Sequence, residues 1–136
     1  MPSVFQKLNL TTQKKIVVYN VPDSFSGELN NLKDVEIERD PRTPRAVQFA
    51  LAFALTQAQL DRYSKQLAPA ADGDAILWFG YPKGTSKRYK CEFNRDSGWH
   101  VMTDAGFETV RQVAIDEDWS ALRFRRSQFV KTRKAK

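Results

Sequence analysis

Residues 46–55 read AVQFALAFAL, and their pattern of large and small side chains decides the fold class. The alanines suit a helix, but large apolar residues stand at every second position: Val47, Phe49, Leu51, Phe53 and Leu55. A repeat of two is the period of a β-strand, whereas one face of a helix repeats every 3.6 residues. We therefore predict a strand buried on both faces, with the large residues on one side and the alanines on the other.

The segments that precede this strand follow the order strand, helix, strand. The β-branched run KIVVY within residues 14–20 predicts a buried strand. Residues 21–32 place three apolar side chains on one helical face, namely Phe25, Leu29 and Leu32. Residues 34–40, DVEIERD, alternate apolar and acidic positions, which indicates a strand with one face in water.

The segments that follow continue the alternation. Thr56 and Gln59 have the spacing of a capping box, so a helix begins there, and it must end before Pro69. We predict a turn at residues 70–74 (AADGD) and a central strand at 75–81 (AILWFGY).

The last third of the chain predicts a helix and a hairpin. A helix is expected within residues 94–105, starting near Asp96 or Ser97 and stopped by Gly106. Residues 107–115 and 121–126 are expected to form antiparallel strands, because the turn between them is too short for a crossover helix. The whole order predicts a three-layer α/β sandwich with a mainly parallel sheet of five or six strands, three helices and an antiparallel C-terminal edge hairpin.

Charge is distributed unevenly along the 136 residues, whose net charge is +6. The last 14 residues hold seven Lys or Arg and no acid, which leaves 15 basic and 16 acidic residues in the remainder. We expect a single domain at residues 1–126 and a basic, flexible tail at 127–136. Such a tail can give weak, salt-sensitive contact with nucleic acid, although it is equally typical of a solubilising terminus.

Several classes of protein are disfavoured by composition. No apolar run approaches the roughly 18 residues of a membrane span, and residues 1–10 show no apolar core or cleavage site, so we expect no secretory signal. The single cysteine, Cys91, indicates a reducing cytoplasm. The single histidine, His100, has no partners at metal-ligand spacing, so we expect neither a metal nor another cofactor.

Two stretches resemble the second half of Rossmann-like methyltransferases that use S-adenosylmethionine (SAM). They are LAPAADGDAILWFGYP (67–82) and DAGFETV (104–110), the latter followed by ALRFRR. The resemblance implies a Rossmann-like fold. That family binds SAM with a glycine-rich turn after its first strand, where this chain has Pro22 and Phe25. Without closely spaced glycines the backbone cannot approach a nucleoside, so the resemblance implies the fold without the activity.

The chain also resembles a bacterial domain family of unknown function with small, single-domain members. The matching elements are VYNVPDSF (18–25), LWFGYPK (77–83) and VAIDEDWSALRFR (113–125), with D-x-x-W-S (116–120) the most specific. This resemblance implies a relative but assigns no chemistry.

The end of the central strand is the first candidate site. The predicted central strand ends at Tyr81, and Lys83 and Lys87 follow it. Ligands of open parallel sheets bind beyond the carboxyl ends of strands. Lysines there could neutralise an anionic ligand. The alternative is a solvated loop, and no phosphate-binding glycine loop is present.

The turn IDEDWS supplies the second candidate. Asp116 could orient Lys83, and Trp119 could form the floor of a shared pocket. The alternative is an Asx-type turn in which Asp116 binds backbone N–H groups and Trp119 plugs the edge of the core.

Three functions remain open from the sequence. The leading hypothesis is a non-catalytic, methyltransferase-like binding or interaction module, with a ligand site at Tyr81, Lys83, Lys87, Asp116 and Trp119. The second is an enzyme that acts on a small anionic substrate at the same corner, which requires Lys83 and Asp116 within hydrogen-bond reach. The third is nucleic-acid binding through the basic tail.

Overall fold

The computed structural model of the chain describes residues 5, 8, 10, 13–32, 34–84, 86, 89–91, 93 and 98–130. Its strands are β1 (Lys15–Tyr19), β2 (Glu36–Arg39), β3 (Val47–Phe53), β4 (Ala71–Pro82), β5 (Phe107–Ala114) and β6 (Trp119–Arg126). A 3₁₀ turn (Asp23–Phe25) leads into α1 (Ser26–Asn30), and three more helices follow: α2 (Gln57–Leu67), α3 (His100–Asp104) and α4 (Ser127–Val130). Within the described ranges, no helix has the length and apolar character needed to cross a bilayer.

The six strands form one sheet in the order β2-β1-β3-β4-β6-β5. The first four are parallel, and β6 runs antiparallel to both β4 and β5. The predicted α/β fold class and its antiparallel hairpin are therefore confirmed. Strand β6, the last in the chain, lies between β4 and β5, so β5 forms the edge of the sheet.

Strand β3 is buried on both faces, as its period of two predicted. Ala50, Ala52 and Ala54 pack into one core cluster, on what we call the alanine face. Phe49, Leu51 and Phe53 pack into a second cluster, on the phenylalanine face. Val47 was expected beside the phenylalanines but lies on the alanine face, because the register with β4 shifts between Val47 and Phe49.

Helices cover the two faces in different ways. The small side chains of the alanine face leave room for α2, whose Leu60, Tyr63 and Leu67 are buried there. The predicted capping box at the start of α2 is confirmed: the Thr56 hydroxyl accepts the Gln59 N–H, and the Gln59 amide oxygen accepts the Thr56 N–H. The phenylalanine face is covered by Phe25 and Leu29 of the 3₁₀ turn and α1, and by Phe5 and Leu8.

Several predicted boundaries were wrong; β6, for example, begins at Trp119 and not at residue 121. Strand β4 begins at Ala71, within the predicted turn, because that turn is a bulge: Val47 pairs with Ala71 but Phe49 pairs with Ile76. Helix α3 begins at His100, because Gly98 has a φ of +97° and cannot continue a helix. Residues 94–97 lie outside the described residues. Gly106, with a φ of +93°, ends α3 as predicted.

The predicted tail begins in regular structure. Ser127–Val130 forms α4, and the side chain of Val130 is buried. Residues 131–136 lie outside the described residues, so the expected flexibility of the tail stays a prediction.

The substitution Gly80→Ala tests the packing of β4 against β3. A Cβ at residue 80 would lie 2.8 Å from Cδ2 of Phe53, whose ring is fully buried. We expect a loss of about 1–3 kcal/mol in the free energy of unfolding, measured by urea denaturation. Gly27→Ala is the matched control, because nothing lies within 4 Å of its added Cβ, and it should leave stability unchanged or raise it by about 0.5–1 kcal/mol. Equal effects of the two substitutions would contradict the packing argument.

Candidate functional site

The carboxyl end of β4 lies beside the turn that opens β6. Pro82 pairs with Trp119 across the two strands, and the Lys83 N–H donates to the Asp118 carbonyl at 2.8 Å. The two candidate sites of the sequence analysis are therefore neighbours in the fold.

Asp116 holds the turn and does not pair with Lys83. Its Oδ1 accepts the N–H groups of Asp118 at 2.8 Å and Trp119 at 2.9 Å. This is the Asx-type turn of the alternative interpretation. In the described part of the chain, no hydrogen bond or ion pair joins Asp116 to Lys83.

Trp119 belongs to the core of the phenylalanine face. It is 2% exposed, and its ring meets Phe53 edge-on at a centroid distance of 5.2 Å and Tyr89 at 4.9 Å. Among the described residues its Nε1 has no acceptor. Trp119 therefore fills the core at the end of the sheet where β6 begins.

A cavity of about 770 Å³ opens on the alanine face next to this corner. Its described lining residues are Tyr81, Pro82, Lys83, Gly84, Ser86, Tyr89, Lys90, Cys91, Phe93, Gln112 and Ser120. Of the five predicted site residues, Tyr81 and Lys83 line this cavity. Asp116 and Trp119 are not among its described lining residues, and Lys87 lies outside the described residues.

The wall of the cavity formed by the sheet is neutral and polar. The Tyr81 hydroxyl accepts a hydrogen bond from Gln112 Nε2 at 3.0 Å, which ties β4 to β5 across β6. Ser120 pairs with Tyr81 in the sheet and is 6% exposed. Phe93 packs against the Tyr81 ring at a centroid distance of 6.1 Å.

The segment after β4 forms the opposite wall. Ser86 Oγ donates to Asp118 Oδ1 at 2.9 Å and accepts the Tyr89 N–H at 3.2 Å. These bonds hold the segment against the hairpin turn. Lys83 is half-buried and Lys90 is exposed, and both line the cavity. No carboxylate occurs among the described lining residues, so the fixed charges contributed by these residues are cationic.

Sequence reasoning missed most of the polar wall. Gln112 and Ser120 face the cavity because β6 inserts between β4 and β5. Gln112 belongs to no motif, and Ser120 ends the D-x-x-W-S element without having been considered a site residue. The one available signal was alternation: in WSALRFRR a side chain that neighbours the core-facing Trp119 must point to the other face of the sheet.

A second region of interest is the point where the strand order reverses, between β1 and β3. Asn20, which follows β1, has a φ of +54°. Its N–H donates to Asp40 Oδ1 at 2.9 Å, and its Nδ2 donates to the Phe53 carbonyl at 3.0 Å. Asn20 thus ties together the ends of β1, β2 and β3. Phe25 is buried below it, with its ring 5.1 Å from that of Phe53.

Beside this point, a cavity of about 400 Å³ is lined by Tyr19, Asp40, Pro41, Arg42, Arg62, Tyr63 and Gln66. The Tyr19 hydroxyl donates to the Pro41 carbonyl at 2.8 Å, and its ring stacks on Tyr63 at 4.8 Å. Burial raises the pKa of Tyr19 to about 12, with smaller contributions from the carboxylates of Glu38 and Asp40.

Comparison with known proteins finds similarity of fold only. No protein-family model matches the chain, and no curated protein matches it significantly, so the resemblance to a bacterial domain family is not confirmed. Among solved structures, a SAM-dependent methyltransferase from Aquifex aeolicus superposes with a TM-score of 0.61 and 13% identity over 90% of this chain and 87% of that one.

Two further structures agree with this assignment of the fold. A possible exported protein from Bordetella parapertussis has a TM-score of 0.62 at 10% identity, over 90% of this chain and 65% of that one. The N-methyltransferase NodS from Bradyrhizobium japonicum, in complex with S-adenosyl-L-homocysteine, has a TM-score of 0.55 at 12% identity, over 89% and 83% of the two chains. The fold is therefore methyltransferase-like and Rossmann-like.

SAM, the cofactor that such a fold implies, does not fit the residues at the point of strand reversal. A nucleotide there needs a glycine-rich turn that lets the backbone approach it closely. The turn after β1 instead buries Phe25, and the Asn20 side chain donates a hydrogen bond to the Phe53 carbonyl. Gly27 has open space around it, so it provides no close approach of the backbone to a ligand.

The raised pKa of Tyr19 predicts a specific loss of stability in alkali. The folded protein holds the Tyr19 proton more tightly than the unfolded chain, so stability falls as the pH rises from 10 towards 12. Tyr19→Phe should cost about 1 kcal/mol at pH 7 through the lost hydrogen bond. Above pH 10 the wild type should then lose about 1.4 kcal/mol per pH unit relative to the variant. Urea denaturation of both proteins from pH 8 to 11 measures this difference, and parallel curves would contradict it.

Proposed function

We propose that this protein is a non-catalytic, methyltransferase-like binding module that holds a small anionic ligand in the cavity beside β4. The observation that carries the proposal is the charge of the cavity. Lys83 and Lys90 line it, and no acidic side chain occurs among its described lining residues. Its volume of about 770 Å³ is that of a small-molecule site.

The chemistry of the two walls supports a ligand with two different ends. An anionic group would lie between Lys83 and Lys90, where it gains charge-assisted hydrogen bonds. A neutral polar group would face Gln112 and Ser120, and the rings of Tyr81 and Phe93 would exclude water around the middle of the ligand. Because Lys83 is half-buried, its contact with an anion is less screened than that of an exposed lysine.

Binding is favoured over catalysis because the described lining of the cavity contains no carboxylate and no histidine. The enzymatic alternative needs Asp116 beside Lys83, and the Asp116 carboxylate is used by the turn. The poor fit of SAM to the point of strand reversal also speaks against methyl transfer.

Ligand binding is tested by thermal unfolding with citrate, 2-oxoglutarate, phosphoenolpyruvate or glucose, at constant ionic strength. At least one anion should raise Tm, and glucose should not. Lys83→Ala should weaken the binding of that anion about tenfold, the effect of one charge-assisted hydrogen bond. Lys65→Ala is the control, since this exposed lysine lies on α2 and does not line the cavity. The proposal fails if no anion stabilises the protein, or if Lys83→Ala and Lys65→Ala bind equally well.

The second test concerns the cofactor. We expect isothermal titration with SAM to give no binding heat and no shift of Tm at 1 mM SAM, because Phe25 and Asn20 occupy the point of strand reversal. Saturable binding of SAM would overturn the non-catalytic assignment. Titration of SAM into the Asn20→Ala variant tests whether the hydrogen bond from Asn20 to the Phe53 carbonyl blocks SAM binding at the point of strand reversal.

A further inference from the structure

Three arginines stand in a row on the phenylalanine face of β5 and β6, the opposite side of the sheet from the cavity. We call Arg111, Arg123 and Arg125 the arginine row. Arg111 pairs directly with Arg123 in the β5–β6 register, and Arg125 lies two residues further along β6. Directly paired residues of antiparallel strands project to the same face, with Cβ atoms about 5 Å apart.

Arg125 already has an anionic partner. Its Nε donates to Asp74 Oδ1 at 2.8 Å and its Nη2 donates to Asp74 Oδ2 at 2.7 Å, a bidentate pair. This bond raises the pKa of Arg125. Glu108 pairs with Arg125 in the register, so Glu108 and Asp74 both lie at the Arg125 end of the row.

Arg123 is different, because its environment opposes its charge. The side chain is half-buried, and among the described residues its Nε has no acceptor. Burial lowers the pKa of Arg123, and the charges of Arg125 and Arg111 lower it further, against the opposing effect of Asp74. A cation that is partly desolvated, lacks a partner for one donor and faces a like charge is unfavourable in the free protein.

An oxyanion between the two guanidinium groups would offset the repulsion between them. It would accept hydrogen bonds from Arg111 and from the solvent-facing part of the half-buried Arg123 side chain, and its oxygens can accept two bonds from one arginine fork. Arg111 is exposed, so an anion can reach the pair from solvent.

We propose that Arg111 and Arg123 form a phosphate-binding site on the β5–β6 surface, separate from the cavity. The phosphate can be a free ion or a phosphodiester of a nucleic acid. The second source is compatible with the position of the site, since β6 leads through α4 to the basic residues Lys131, Arg133, Lys134 and Lys136.

The first experiment measures Tm with increasing inorganic phosphate, at ionic strength held constant with sodium chloride. Wild type should gain about 3–5 °C at a phosphate concentration well above the dissociation constant. Arg111→Ala should lose most of this gain. Arg39→Ala is the matched control, because it removes an exposed strand arginine from β2 and should retain the full gain.

The same measurement separates binding from a structural role. In chloride alone Arg111→Ala should unfold at the same temperature as wild type or higher, since it relieves the repulsion on Arg123. A lower Tm in chloride, or a gain from phosphate as large as that of Arg39→Ala, would overturn the site.

The second experiment distinguishes the two sources of phosphate. Anisotropy of a fluorescein-labelled 12-nucleotide RNA is measured with wild type, Arg111→Ala and Arg39→Ala. A loss of about tenfold in affinity and a smaller salt slope for Arg111→Ala alone would assign the site to a phosphodiester backbone. RNA affinity that is equal in Arg111→Ala and Arg39→Ala, together with the stabilisation by phosphate, would assign it to a free phosphate. The Lys83→Ala variant should behave as wild type in both experiments, so the cavity and the arginine row can fail separately.

Discussion

The ring of Phe53 joins three parts of the molecule that are distant in sequence. It lies against Phe25 from the turn after β1, against Trp119 at the start of β6, and over Gly80 of β4. The close approach at Gly80 leaves no space for a side chain, so β3 and β4 are fixed relative to each other at their carboxyl ends. Because β3 is buried on both faces, both helical layers depend on this position. The cavity and the point of strand reversal lie on either side of it.

Local patterns were sufficient to predict most of the fold. The alternation of AVQFALAFAL predicts a strand and the capping box at Thr56 predicts a helix start, and each depends on only a few neighbouring residues. Both predictions were confirmed. The insertion of β6 inside the hairpin could not be predicted, because strand partners are chosen by long-range packing. The bulge at Ala71–Ala75 was missed for a related reason: Gly73 and two aspartates favour a turn locally, yet pairing with Val47 keeps Ala71 in the sheet.

The candidate site was predictable only where it follows directly from a strand end. Tyr81 and Lys83 line the cavity because they end or follow β4, which the apolar run ILWF identified. Trp119 and its neighbour Ser120 show what sequence could not provide. Their side chains point to opposite faces, and the sequence does not state which face carries the cavity. A tryptophan attracts functional interpretation, but here the small serine beside it faces the open space while the tryptophan fills the core.

Strand β5 is an edge strand of the sheet, and its irregular backbone disfavours pairing with a further strand. Its register with β6 shifts between Thr109 and Arg111, so its outward N–H and C=O groups do not form an even ladder. Charged side chains at Glu108 and Arg111 flank that irregularity, and burying them against a second strand would be costly. The protein can therefore keep a polar, arginine-bearing border open to other molecules without offering that border to edge-to-edge aggregation.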